Sequence, residues 1–298
     1  MDIKDIAGLE KPLEKLIETV SEGIGVVGNH FFKFDSAKIK RIGDAEAEVE
    51  KQKIIAFVEA KEKAVEILGR AEKRFVLEQY SKQINLENIL VKTKENLEGK
   101  IVSEEPVEKD WTMRFLDIAQ NVSKEELQDV LARILSGEVQ NPGSFSYQTL
   151  EVVKYLSRKD LQKFLEFIAI STNIGVMKLE IGGKNSLEKY NLRFNEYLDL
   201  SSIGLFNQSS TISYDIDLPA STPLLLNVGG DSFSIVHGDQ QNIKKFDFGL
   251  YVFSNVGKEL RPLIIDRATN EKSEEYKTDF VEEAQKKGFT VVREEDKK

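Results

Sequence analysis

The chain has 298 residues, 40% of them apolar and 31% charged, with a formal net charge of −9. That mixture belongs to a folded chain with room for more than one domain, and it excludes wholesale disorder and a globally basic, nucleic-acid-binding surface. The absence of cysteine excludes a disulfide framework, a thiolate nucleophile and a zinc–thiolate site, and it fits a reducing cytoplasm. The start, Met1 to Ile6, lacks the basic-then-apolar order of a signal peptide. The uncharged stretch from Gly23 to Phe32 is roughly half the length of a spanning helix.

In residues 1–34, Ile6, Leu9, Leu13, Leu16, Ile17, Val20, Ile24 and Val27 recur at three- and four-residue spacing, opposite a charged face. This predicts an amphipathic helix, with Pro12 tolerated in its first turn. Residues 35–100 read as one or two long helices with acids and bases closely mixed, burying a narrow stripe in a hairpin or an oligomer. Ser103 to Glu108 is an acidic, proline-containing linker and the first expected boundary.

Helices follow over 110–172. Trp111, Phe115, Ile118 and Val122 form one stripe, and Leu127, Val130, Leu131, Ile134 and Leu135 form the next. Ser123 with Glu126 has the spacing of a capping box, and Ser157 with Asp160 caps a later helix. Asn141-Pro142-Gly143-Ser144 turns the chain between helices.

From Gly175 the apolar period changes to two. Strands are expected at Met177–Ile181, Ile212–Leu218, Leu224–Val228, Phe233–His237, Phe246–Phe253 and Phe289–Val292. Helices are expected near Ser186–Leu200 and Glu274–Lys287. The fold class is therefore α+β: a long-helix module over 1–102, a helical unit over 109–173 and an α+β domain over 174–298. Within the last part, Leu198–Leu205, the strands after it and the segment Phe253–Leu260 also suit a winged helix.

Four features suggest chemistry and have plainer explanations. Gly23-Ile24-Gly25-Val26-Val27-Gly28 matches the dinucleotide-binding glycine pattern, but it follows a helical stripe where that site needs a strand. His237 has Ser234 and Asp239 nearby, yet a triad is assembled across a fold, so a strand-end histidine is expected. Asp215 and Asp217 share one face of a strand, where solvated side chains are the default. The candidate recognition helix sets Lys189 and Arg193 against Glu188, Glu196 and Asp199, which is not the net basic face of a DNA reader.

Leu131 to Glu138, Asn141 to Ser146 and Thr149-Leu150-Glu151, together with Ile17 to Gly25 and Asn255 to Leu260, resemble a family of uncharacterised bacterial proteins. The resemblance spans most of the chain. It implies a setting, since some sequences with a similar front element are linked to abortive-infection defence against phage, and it implies no catalytic residues. The expectation is a non-enzymatic, cytoplasmic interaction protein without cofactor or metal. It would form a homo-oligomer, or meet a partner protein or the inner-membrane surface, through Leu9, Leu13, Leu16, Val20, Ile24, Val27, Phe31 and Phe32. Nucleic-acid binding by a winged helix is the alternative.

Overall fold

Apolar side chains at three- and four-residue spacing build helices as far as Ile168, and alternating ones build strands from Gly175 onward. The computed structural model describes residues 10–24, 52, 66–181, 184–208, 212–220, 222–238, 243–268 and 271–294. They fall into two compact units, Met1–Leu150 and Glu151–Lys298. Among the described residues there are nine α-helices, and the strands lie in the second unit, so the fold is α+β.

The first unit holds α1 (Glu10–Ile24), α2 (Glu66–Leu97), α3 (Lys109–Ala119), α4 (Glu125–Gln140) and the start of α5 (Tyr147–Tyr155). Its core is a layer of helix faces: Leu16 and Val20 from α1, Ile89 and Leu90 from α2, Trp111, Phe115 and Ile118 from α3, and Val130, Leu131, Ile134 and Leu135 from α4. Polar groups fix the layer in register. Asn85 donates to the Gln120 carbonyl at 2.9 Å, and Lys92 pairs with Asp129 of α4. Trp111 stacks on Phe115 and donates its indole N–H to the Phe145 carbonyl at 2.8 Å.

The turn between α4 and α5 is held by Glu138, whose carboxylate accepts from the backbone N–H of Gly143 at 2.6 Å and of Phe145 at 3.0 Å. Gly143 has φ +83, which a residue with a side chain rarely adopts. A Cβ on Gly137 would sit 2.7 Å from the Phe145 ring, so glycine there is what lets that ring pack against α4.

The second unit contains two three-stranded antiparallel sheets, ordered β1-β7-β4 and β5-β6-β8, and a two-stranded hairpin, β2-β3. The strands are β1 (Gly175–Lys178), β2 (Glu180–Ile181), β3 (Lys184–Asn185), β4 (Ile212–Leu218), β5 (Leu224–Val228), β6 (Asp231–Val236), β7 (Lys244–Val252) and β8 (Thr290–Arg293). Helices α6 (Arg158–Ile168), α7 (Phe194–Ser202), α8 (Asn255–Ala268) and α9 (Glu271–Lys286) accompany them. Phe164, Phe206 and Phe253 meet edge to face or tilted, and Tyr197 lies 4.2 Å from the Tyr251 ring. A second aromatic cluster joins Phe233, Phe248 and Phe280.

Arg261 of α8 is 5% exposed and is held by neutral groups. Its Nε donates to the Ser171 hydroxyl at 2.8 Å, Nη1 to the Asn173 amide oxygen at 2.9 Å, and Nη2 to the Ser171 carbonyl and Asn227. Burial lowers its pKa to about 10, so it remains charged at neutral pH. It clamps α8 to the start of the strand region and to β5.

Several expectations change. The segment 103–108 does not separate two bodies: Val107 is buried, Ser103 N–H donates to the Val139 carbonyl, and α2 packs along α4. The unit boundary falls instead within α5. Lys124 rather than Ser123 is the N-cap of α4, with no side-chain cap, whereas the Ser157–Asp160 capping box forms on both sides, at 3.1 and 3.0 Å. The helix expected over 186–200 is broken into a 3-10 turn, Ser186–Tyr190, and α7, with Asn191 between them at φ 61. The strand expected over Met177–Ile181 splits into β1 and β2, which pair with different partners.

Leu131 has no exposed surface, so Leu131→Ala should lower the unfolding free energy by about 2–5 kcal/mol. Leu225→Ala, at a position 67% exposed, should change it by less than about 0.5 kcal/mol, both read from urea unfolding. Arg261→Lys places a point charge where a planar fork spans three residues. It should destabilise the second unit by about 2 kcal/mol in the same assay.

Candidate functional site

A groove of about 1120 Å³ lies on the first unit. One wall is the first half of α2. Arg70, Arg74, Leu77, Ser81 and Asn85 recur at three- and four-residue spacing and so share a helix face, flanked by Lys73, Glu78 and Lys82. The other wall is the connection from α3 to α4, with Gln120, Asn121 and Ser123. The groove thus carries four cations against one carboxylate, in a chain that is acidic overall. Glu78 accepts an ion pair from Lys82 at 2.6 Å, and that pair, with Arg74 nearby, holds its carboxyl below the usual range. The wall from α3 to α4 is rigid: the Gln120 carbonyl takes Asn85, Asn121 donates to the Asp117 carbonyl at 2.6 Å, and Gln128 donates to the Val122 carbonyl at 2.9 Å.

In sequence these cations belong to a solvated, mixed-charge helix. Arg70 and Arg74 share a row with Ser81 and Asn85, whereas Lys73 and Lys82, nine positions apart, flank it on opposite sides of the helix, and the second wall comes from residues some forty positions later, which the local pattern does not reveal.

Two of the residues expected to form an interaction stripe, Leu16 and Val20, are fully buried, on a helix that packs mainly on α3 with further contacts to α2 and α4. Those two are covered by the chain itself. Leu13 and Ile24 lie in α1, with side chains outside the described residues; Leu9, Val27, Phe31 and Phe32 also lie outside them. Gly23 belongs to the last turn of α1, so the glycine pattern begins at the C-terminal end of a helix, where the helix dipole repels a phosphate.

The remaining polar candidates are held in place by the fold. His237 is buried, its Nε2 against the Leu218 carbonyl at 2.7 Å, while Ser234 lies within the β5-β6-β8 sheet and Asp239 lies outside the described residues. Asp215 is bridged by Lys245 at 2.7 Å. Among the described residues no cluster of His, Asp or Glu could hold a metal ion, and no helix is long and apolar enough to cross a membrane.

A second, smaller cavity on the first unit is lined by Asp110, Met113, Arg114 and Tyr147. The Arg114 guanidinium lies 5.0 Å from the Tyr147 ring centre, and a hydrogen bond to Glu108 pushes the Tyr147 phenol up to about 12. Such a phenol stays protonated at neutral pH and is a poor general base.

No curated protein and no solved structure matches this chain. The family DUF2806, described as a protein of unknown function, matches residues 69–280, from the first half of α2 into α9. That is more than two thirds of the sequence, and the chain belongs to this family.

Proposed function

We propose that the chain is a non-enzymatic interaction protein that self-associates through its N-terminal helices. One observation carries this reading: the first half of α2 leaves Phe75 61% exposed, with Val76 and Tyr80 only half-buried beside it. A ring on an outward helix face is costly in water and gains by being covered. A second copy is the occupant that suits it. The helix interleaves Glu66, Arg70, Glu72, Lys73, Arg74 and Glu78, and such a surface is self-complementary when two copies pair antiparallel. Because Leu16 and Val20 are used within the chain, the contact surface moves from α1 to α2.

The resemblance noted above fits such a module to bacterial antiphage defence in the cytoplasm. Contact with the inner membrane, through the segment carrying Phe31 and Phe32, is the second mode in this proposal.

Light scattering on the full chain at micromolar concentration should give at least twice the 33.8 kDa of one copy. Phe75→Glu should reduce the mass to that of one copy and leave the circular dichroism unchanged, because the position is exposed. Leu16→Glu should unfold α1 instead, since it places a charge in a closed core. A wild-type chain that is monomeric and ignores liposomes would sink the reading.

A further inference from the structure

We propose that α1 is a releasable helix, and that the face it covers on α2, α3 and α4 is a docking site for the α1 of a second copy. This rests on self-association through the N-terminal helices and adds how α1 takes part in it. Within the pair that α2 forms, each copy's α1 lies on the body of the other.

The first argument is what holds α1 in place. Leu16 and Val20, one turn apart, have no exposed surface, and α1 packs mainly on α3 with further contacts to α2 and α4. Among the described residues no hydrogen bond or ion pair joins α1 to another helix, and Lys15 pairs with Glu18 of α1 itself. The helices beneath are tied differently: Asn85 of α2 bonds the Gln120 carbonyl, and Lys92 pairs with Asp129. Apolar burial is non-directional, so no polar contact reserves the site for the α1 of the same chain.

The second argument is a flaw in the contact. Thr19 shares the buried face with Leu16 and Val20, is 3% exposed, and its hydroxyl has no hydrogen-bond partner. A hydroxyl buried in this way opposes docking, by roughly tenfold or more in the equilibrium. The helix is held less tightly than its apolar surface allows.

The third argument is connection. Residues 25–65 separate α1 from α2 in sequence, and α3, its main support, begins at Lys109. A stretch of that length covers roughly 60 Å even at the 1.5 Å rise of a helix, which is enough to serve a neighbour. The family match begins at Gly69, so the body that receives α1 lies within the matched residues and α1 lies outside them. Fit decides the occupant. The face is already complementary to α1, and a second copy brings an identical helix.

A labelled peptide of residues 8–26 stands in for the second copy's helix, and fluorescence anisotropy reads its binding to the full chain. It should bind the Leu16→Glu chain, whose own α1 is expelled, at least about tenfold more tightly than the wild type, where α1 competes. Thr19→Val in the peptide removes the unpartnered hydroxyl and should tighten binding by about tenfold. A peptide of scrambled order should not bind. A second measurement needs no destabilised variant. In the full wild-type chain, backbone amides of α1 should exchange hydrogen at least about tenfold faster than those of α3, and Thr19→Val should slow α1 alone. If the Leu16→Glu chain loses its circular dichroism, this exchange comparison decides. Four results would overturn the proposal: a peptide that ignores a folded Leu16→Glu chain, equal binding by the scrambled peptide, preference of the peptide for phosphatidylglycerol vesicles over the chain, or α1 amides as slow as those of α3. The peptide assay repeated with Phe75→Glu in the chain should give the same affinities, so failure here is distinguishable from failure of the α2 contact.

Discussion

The carboxylate of Glu138 is almost fully buried, and it takes the backbone N–H groups of Gly143 and Phe145. A buried anion is costly, and these two charge-assisted hydrogen bonds help to offset that cost. The consequences spread from there. The bonds set the path of the turn, the turn delivers the Phe145 ring onto Gly137, and the Phe145 carbonyl receives the Trp111 indole. Trp111 and its stacked neighbour Phe115 belong to α3, the helix on which α1 mainly packs. A helical bundle has many near-equivalent packings, and a polar anchor of this kind selects one of them.

The second unit handles buried charge in two ways. Lys277 is 4% exposed and is paired with Asp231 and Glu274, and Arg293 reaches the same two carboxylates. Here opposite charges offset the loss of water. Arg261 instead spreads one charge over carbonyl, amide and hydroxyl oxygens. The first arrangement ties α9 to β6 and β8, and the second ties α8 to β5. Together they brace the three-stranded sheet β5-β6-β8 against α8 and α9, which lie before its strand β8 in the chain.

Features fixed by neighbours in sequence were legible before the structure. Helix faces at Leu127–Leu135 and Leu161–Ile168, the Ser157 capping box and the strands at 212–218 and 224–228 all follow from local spacing. Features set at long range were not. Nothing near Tyr190 announces that its hydroxyl will bond Asp279, or that Lys189 will pair with the same carboxylate, and these contacts hold the 3-10 turn where a continuous helix was expected. Asn191 tolerates the left-handed conformation that breaks the helix. The motif residues Gly137, Glu138 and Gly143 were visible as a pattern, but their reason, a carboxylate-locked turn over a close ring, needed the fold. Gly257 is similar: a Cβ there would lie 2.2 Å from the Leu205 carbonyl, so α8 can approach only a glycine. The groove was half legible, since the cations of α2 were in view and the wall opposite them was not.

The strand pairing also governs when each unit can form. The helices of the first unit find their partners within the first 150 residues and can close once the turn through Phe145 has been made. The second unit cannot. Val176 waits for Tyr251, and Phe233 waits for Arg293 in β8, the last strand among the described residues. Asp231, too, waits for Arg293. During synthesis the helical unit is therefore complete while β6 still has one edge open, and the sheet closes only when its last strand arrives. Until then that edge is the part of the growing chain most exposed to pairing with the wrong strand.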